Sequence, residues 1–206
     1  MIRLSSPCLM ALCAMVIVMP STVDAQEGTA TWVVDDDRSS ITFESNAPAE
    51  RFTGTSESLE GSIDWNFDRP EESSGTIEFP VETVRTGNRT RDRHLQREDW
   101  LHADDHPTIT FTVEQLSSLR TATTDGGQIH HRATAEGNLT VRGVEQSTEA
   151  SVEIAIIPDQ NVARVRTQLE FDLDDHGIEG SGGDRAVGYA VGETIEVQGT
   201  IYLGWE

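Results

Sequence analysis

The sequence predicts an all-β fold built from eight antiparallel strands. Segments in which apolar and polar residues alternate run through the chain, and clusters of Gly, Pro, Asn, Asp and Ser separate them. Most of these connections are short, which favours antiparallel neighbours over parallel strands with long crossovers. One connection is longer, and a short helical segment is expected in its 86–103 part. Strands with one apolar face form either a sandwich or a closed barrel, and both remain open at this point.

Eight apolar faces define the strands in chain order. They lie in Ser40–Glu44, Leu59–Phe67, Thr76–Val81, Thr108–Val113, Ile129–Val141, Ala150–Ile156, Ala163–Leu173 and Ile195–Leu203. The faces mix large residues with very small ones, namely Gly61, Ala133, Ala135, Gly137, Ala163 and Gly199. Small inward side chains indicate either space for an apolar ligand or bends at barrel corners, and the pattern alone does not choose between them.

The connection between the third and fourth strands does not alternate. Thr86, Gly87 and Asn88 form a turn and helix-start signal, with Asn88 as the expected cap. Leu95 and Trp100 are the apolar anchors in the charged segment that follows. A long connection inside a compact β domain indicates a lid or entrance element, and a solvated connecting helix is the alternative.

The N-terminus has the layout of a secretory signal peptide. Arg3 precedes an apolar run of 12 residues, Cys8–Met19, and Ala25 ends a stretch of small or branched residues that suits cleavage. The run is shorter than the roughly 20 residues that a membrane span needs. We therefore expect residues 1–25 to be removed and 26–206 to fold as one domain. This domain contains no cysteine, which excludes disulfides and thiol catalysis within it.

The charge balance is strongly acidic. The chain has 36 Asp and Glu residues against 15 basic residues, all of them arginine, for a net charge of −21. Such a surface repels nucleic acid and anionic lipid head groups, so no nucleic-acid partner is expected. It also predicts adaptation to high salt, because acidic surfaces stay soluble where screening is short-ranged.

Five of the arginines lie close together. They are Arg85, Arg89, Arg91, Arg93 and Arg97. Guanidinium groups bind phosphate and other anions well, so the cluster can form a rim for a polar head group at one barrel mouth. The alternative is local charge balance against the neighbouring Glu82, Asp92, Glu98 and Asp99.

The sequence lacks the common catalytic and metal-binding motifs. No phosphate-binding glycine loop, nucleophile elbow or zinc-protease helix is present, so an enzyme is not expected. His102 and His106 flank Asp104 and Asp105, which is the best metal candidate, but a solvated acidic loop explains this spacing better. We predict neither a metal nor a catalytic residue.

Four groups of residues together match the sequence pattern of one protein family. The most specific group is Thr86-Gly87, Arg91–Leu95, Asp99–Leu101 and His106–Phe111. The others are Trp32–Asp35 with Ser39–Phe43, Gly137–Val144, and Gly177-Ile178 with Val191–Ile195. Together these groups resemble the YceI-like family, whose members are secreted bacterial barrels that bind polyisoprenoids. The resemblance implies an eight-stranded antiparallel lipocalin-like β-barrel with an elongated hydrophobic pore, in the periplasm or secreted from a bacterial cell.

The resemblance also implies a ligand: a polyisoprenoid chain, as in an isoprenoid quinone or polyprenyl phosphate, or a fatty acyl chain, held for transport, storage or stress protection. The large inward residues are then the lining candidates, namely Phe43, Trp65, Phe79, Phe111, Leu139, Phe171 and Ile201. The head-group rim candidates are Arg89, Arg91, Arg93 and His94. No cofactor is expected unless an isoprenoid quinone is the ligand.

Two other function classes stay open. One is a structural or stress-response barrel with a filled interior that acts through its surface, and the other is an enzyme on lipid substrates, which the missing motifs disfavour. Transient membrane association and a homodimer are also left open.

Salt dependence tests the interpretation of the acidic surface. Raising the salt concentration from about 0.1 M to about 1 M shortens the screening length from about 10 Å to about 3 Å, which weakens repulsion among the acidic groups. We expect the melting temperature, followed by circular dichroism, to rise over this range. A melting temperature that stays flat or falls contradicts the high-salt interpretation.

Overall fold

The computed structural model describes residues 28–46, 51–124, 127–178 and 193–205. The signal peptide expected at 1–25 lies outside this part of the chain, as does most of the glycine-rich 177–192 connection. The strands are β1 (Thr29–Asn46), β2 (Arg51–Ser56), β3 (Glu60–Asn66), β4 (Ser74–Pro80), β5 (Thr108–Thr123), β6 (Ile129–Val141), β7 (Val144–Ile157), β8 (Val162–Asp172) and β9 (Thr194–Gly204). The one α-helix of the described residues, α1 (Arg89–Leu95), lies in the long connection, as predicted.

The strands form one closed antiparallel barrel. The hydrogen-bonded order is β2-β1-β3-β4-β5-β6-β7-β8-β9, and a further pairing of β1 with β9 closes the sheet. Closure distinguishes a barrel from a sandwich, so the eight-stranded antiparallel barrel is confirmed. No helix in the described part of the chain is long and apolar enough to cross a membrane.

The nine strand segments fill eight positions around the barrel because β2 and β3 share one position. β2 pairs with Ile41–Asn46 of β1, whereas β3 pairs with Thr29–Val33 of the same strand. Alternation in the sequence indicates only the Ser40–Glu44 part of β1 and does not indicate β2. The inward face of β2 carries Phe52, Gly54 and Ser56, which is too little apolar surface for a recognisable alternation.

The predicted inward faces are otherwise observed, although the register of β5 against β6 shifts twice, between Val113 and Gln115 and between Ser117 and Arg120. In β6 the side chains of His131, Ala135, Leu139 and Val141 are buried while their neighbours are less so. In β5 the register against β6 shifts between Val113 and Gln115, so the inward side passes to Leu116. A bulge adds one residue to a strand, and sequence alternation alone did not place it.

Two of the small inward residues serve the bending of the barrel wall. Gly61 has a φ of +131°, and a Cβ there would lie 2.1 Å from the Thr76 carbonyl oxygen. A Cβ at Gly137 would lie 1.9 Å from the Thr112 carbonyl oxygen. At both positions the neighbouring strand comes too close for a side chain, which supports the bend interpretation there. Ala135, by contrast, lines open space.

Candidate functional site

The barrel encloses an apolar cavity of about 180 Å³. Since one water needs roughly 10–15 Å³ of such space, the cavity has room for on the order of a dozen waters. Its wall comes from the strands, from the end of α1 and from the segment that follows β8. Among the 26 described residues that line it, Thr167 alone carries a side-chain hydroxyl and none carries a charge. Such a wall can hold apolar matter but offers almost no partner to a polar group.

Inward-facing residues in the half nearest α1 are only half-buried. Phe43, Phe79, Phe111, Phe171 and Val197 all line the cavity and keep intermediate exposure. In a close-packed core, such side chains would be fully covered by their neighbours. This half of the interior is therefore not filled by the protein's own side chains.

The opposite end of the barrel is filled by stacked tryptophans. Trp32 stacks on Trp65 with ring centroids 4.6 Å apart and on Trp205 with centroids 5.0 Å apart. Phe67 packs edge-on against Trp32 at 6.0 Å. All three tryptophans are at most 6% exposed. The stack closes this end, so we call it the blind end and the α1 end the mouth.

Two polar groups are buried at the blind end. The Trp32 Nε1–H has no hydrogen-bond acceptor in the described structure. His131 is 5% exposed, lies 5.3 Å from Trp65 between ring centroids, and shares a hydrogen bond of 2.9 Å with the Thr121 hydroxyl. Burial, and to a lesser extent the neighbouring His130, lower the pKa of His131. The imidazole is therefore neutral at neutral pH, which fits its apolar surroundings.

The helix α1 and its flanks cover the mouth. The Asn88 side chain accepts hydrogen bonds from the Thr90 and Arg91 backbone N–H groups, which caps α1 as predicted. The residues that line the cavity from this end are Val84, Leu95, Trp100, Leu101 and Ile178. The long connection is thus a cover over the cavity, as the lid interpretation expected, and not a helix surrounded by solvent.

The first flank of α1 is attached through Arg91. Its guanidinium lies 4.2 Å from the ring centroid of Phe52, a cavity-lining residue of β2. The Arg91 Nε–H donates to the Thr86 hydroxyl at 3.0 Å. The Asp92 carboxylate accepts from the backbone N–H of Thr86 at 2.8 Å and from its hydroxyl at 2.6 Å. These contacts join the helix start to the barrel wall.

The second flank is attached through Arg142 in the β6–β7 turn. Its guanidinium donates to the Glu98 carbonyl oxygen at 2.9 Å and also to the Gly177 carbonyl oxygen. One side chain therefore holds the segment after α1 and the segment after β8. The turn needs glycine at Gly143, where φ is +70° and a Cβ would lie 2.5 Å from the His106 ring.

The structure places six of the seven predicted lining residues around the cavity. These are Phe43, Phe79, Phe111, Leu139, Phe171 and Ile201. Trp65 lies in the blind-end stack instead. Contact of any of them with a ligand stays a prediction.

The four rim candidates do not form one group. Arg91 is engaged with Phe52 and Thr86, whereas Arg89 and Arg93 are exposed and His94 is half-buried. Binding of a head group by these residues also stays a prediction.

The sequence patterns do not indicate the positions of Arg142 and Phe52 at the site, or the role of the three blind-end tryptophans. Nothing in the sequence pairs Arg142 with carbonyl groups 44 and 35 residues away. The tryptophans left a weak signal, since each lies near the end of an alternating strand.

His102 contacts Asp105 at 3.3 Å, and the described residues contain no group of three side chains suited to a metal ion.

Comparison with known proteins decides the family. A family model described as a YceI-like domain matches residues 32–203. The chain belongs to the YceI-like family. Its resemblance in the four groups of residues is thereby confirmed, and the match runs from β1 into β9.

Individual relatives of this YceI-like barrel are distant. A curated protein named UPF0312 protein, from Azotobacter vinelandii (strain DJ / ATCC BAA-1303), is 29% identical over 91 residues. That match covers 44% of this chain and 43% of the relative, so it spans less than half of either.

Two solved structures share the fold. Burkholderia cenocepacia BcnA has a TM-score of 0.65 at 16% identity and covers 82% of this chain and 98% of its own. A polyisoprenoid binding domain from Saccharophagus degradans, implicated in plant cell wall breakdown, has a TM-score of 0.64 at 14% identity, with 86% and 99% covered. At these identities the likeness concerns the fold alone.

The blind-end stack makes a testable contribution to stability. Replacing Trp32 by Ala removes a fully buried ring, and we expect the free energy of unfolding in urea to fall by about 3–5 kcal/mol. Trp32→Phe keeps an aromatic ring and removes the N–H that lacks an acceptor, so its loss should stay below about 1.5 kcal/mol. Equal losses for the two variants would contradict the assigned role of the ring stack.

The Arg142 attachment makes a prediction about local opening at the mouth. Losing a hydrogen bond to a charged donor costs about 1.5 kcal/mol, so Arg142→Ala should make opening of the segment after α1 roughly tenfold more frequent. Hydrogen exchange at the backbone amides of Leu101 to Ala103 measures this opening. The control is Arg132→Ala, which removes an exposed ion pair with Glu153 on the barrel wall. Identical exchange in the two variants would show that Arg142 does not hold the cover.

Proposed function

We propose that this protein binds the apolar chain of a lipid inside the barrel. The ligand class is a polyisoprenoid chain, as in an isoprenoid quinone or polyprenyl phosphate, with a fatty acyl chain as the closest chemical relative. The observation that carries the proposal is the set of inward-facing but half-buried aromatic and aliphatic residues around an uncharged cavity. A barrel without a ligand would fill this volume with its own side chains, as it does at the blind end.

The chemistry of the wall supports a chain and not a polar molecule. Each methylene group removed from water contributes about 0.8 kcal/mol, so a chain with several such groups binds well without any hydrogen bond. Among the described lining residues, a polar ligand would gain at most the Thr167 hydroxyl and the Trp100 indole N–H in return for its lost hydration. The Saccharophagus degradans structure with the same fold is described as a polyisoprenoid binding domain, which points to the same ligand class.

Binding, transport or storage explains the site better than catalysis. No acid, base or nucleophile other than the Thr167 hydroxyl faces the cavity among the described residues. We further propose that the protein is exported to the periplasm or beyond, since residues 1–25 have the layout of a cleaved signal peptide. An exported barrel of this kind would keep an insoluble chain out of water between membranes.

The first experiment is solvent extraction of protein purified from its own host, followed by mass spectrometry of the extract. An isoprenoid or other long-chain lipid at stoichiometric amount is the expected result. A clean extract, and no uptake after incubation with an isoprenoid quinone, a polyprenyl phosphate and a fatty acid, would overturn the proposal in favour of a ligand-free structural barrel.

A substitution inside the barrel tests the location of the ligand. Val197 lines the cavity and is half-buried, so Val197→Phe occupies space that the chain would use. Displacing about two methylene groups should weaken binding roughly tenfold. The matched control is Val33→Phe, because Val33 is 56% exposed. Equal affinity of the two variants for the extracted lipid would place the ligand outside the cavity.

A further inference from the structure

The floor of the cavity lies at a defined level of the barrel. Along β3, Ile63 lines the cavity, whereas Trp65, the next inward residue, does not. Along β9, Leu203 lines the cavity, and Trp205 beyond it belongs to the blind-end stack. These two strands flank β1 on its two sides, and in both of them the lining ends one inward position before a tryptophan. The stacked rings are therefore the floor of the cavity.

The floor does not let a chain pass through. Trp32 of β1 stacks on both of the other tryptophans, and all three rings are at most 6% exposed. Phe67 packs edge-on against Trp32 and against Trp205. A chain that crossed this level would have to separate rings that are held by three neighbouring strands, and it would forfeit their close packing.

The cover sets the other limit of the cavity. Leu95 and Trp100 line it from the mouth end, and each is 9% exposed. Ile195 lines the cavity at the mouth end of β9 and is 6% exposed. Packed side chains thus bound the interior at both ends, so the fold limits the length of chain that it can enclose.

The length of the cavity follows from the strand that runs along it. On β9 the lining residues extend from Ile195 to Leu203, eight positions further along the chain. At about 3.3 Å per residue this is roughly 26 Å along the strand, and a strand tilt of about 40° leaves roughly 20 Å along the barrel axis. An extended chain advances roughly 1.2 Å per bond, as the polypeptide backbone does, so about 16 carbons reach from the cover to the floor.

The volume of the cavity leads independently to a similar size. The cavity of about 180 Å³ has room for on the order of a dozen waters. A methylene or methyl group is about as large as a water molecule, so the same space takes on the order of a dozen to fifteen carbon groups. Each isoprene unit contributes five carbons, and about three units therefore fill the cavity.

We propose that the tryptophan stack acts as a length stop, so that the barrel encloses an apolar chain of about three isoprene units or an acyl chain of similar length. A longer polyprenyl chain would leave its remaining units outside the mouth, and each methylene left in water weakens binding roughly fourfold. This inference rests on the proposed function, because it concerns the chain that the same cavity binds. It narrows the ligand class to short chains.

The test offers the protein prenols that differ only in length. Equimolar prenols of two, three, four and nine isoprene units are dissolved in the same detergent micelles, and the protein is incubated with them, separated and extracted for mass spectrometry. The three-unit prenol should be the most abundant in the extract. The nine-unit prenol should be at least roughly 100-fold less abundant, because its outer units would leave the micelle for water. The two-unit prenol should be roughly tenfold less abundant, because it leaves part of the cavity without contacts.

Two substitutions change the enclosed length in opposite directions. Trp65→Ala removes a ring from the floor, so the four-unit prenol should become the most abundant. Val165→Phe adds a ring inside the cavity, because Val165 lines it and is half-buried, and the two-unit prenol should then be preferred. The matched control is Val33→Phe, which adds the same ring at a position that is 56% exposed and should keep the three-unit preference. Circular dichroism checks that each variant is folded, and Val165→Phe alone decides the test where Trp65→Ala does not fold.

The outcomes separate the length stop from the proposed function. Retention of the nine-unit prenol as strongly as the three-unit prenol would overturn the length stop, while binding of an apolar chain in the barrel stands. A preference that neither cavity substitution changes, or that Val33→Phe changes equally, would overturn it as well. Retention of no prenol of any length, together with no uptake of a fatty acid, would overturn both proposals.

Discussion

Pairing of β1 with β9 is the constraint on which the rest of this structure depends. It runs from Val33 opposite Gly204 to Ser45 opposite Ile195, with one irregularity between Asp35 and Ser40. Closure satisfies the backbone groups that would otherwise form two sheet edges, and it leaves the interior accessible only at the two ends. Because the tryptophan stack fills one end, access to the cavity depends on how the chain covers the other end.

The mouth is covered by a different kind of interaction from the one that holds the barrel. The wall is a continuous ladder of strand pairs around apolar side chains. The cover is held by its buried residues Val84, Leu95 and Trp100 and by the side-chain contacts of Arg91 and Arg142. Hydrogen bonds of such partly exposed side chains contribute about 1 kcal/mol each, far less than the barrel as a whole. The cover is not part of the strand ladder, so its attachment depends on these local contacts.

Sequence patterns were sufficient for the barrel but not for the division of its interior. Alternation identified the inward faces because each strand exposes one side to water. Capping chemistry identified Asn88 as the residue that caps α1. The patterns could not show that Phe111 lines the cavity while Trp65 belongs to the tryptophan stack at the blind end, since both are large inward residues. That difference is set by contacts between strands far apart in sequence. Arg142 was missed for the same reason, because its partners are backbone carbonyl groups, which leave no trace in residue types.

The uncharged wall determines what kind of selectivity this barrel can have. Burial of apolar surface has no direction, so a cavity lined by Leu, Ile, Val and Phe cannot distinguish one polar head from another. It can distinguish chains by the length and shape that fit between the mouth and the Trp32 stack, which stops a chain from passing through. Polar recognition is thereby confined to the mouth, where α1 presents Arg89 and Arg93 to solvent. The fold thus places apolar contacts in the interior and exposed charged side chains on the cover.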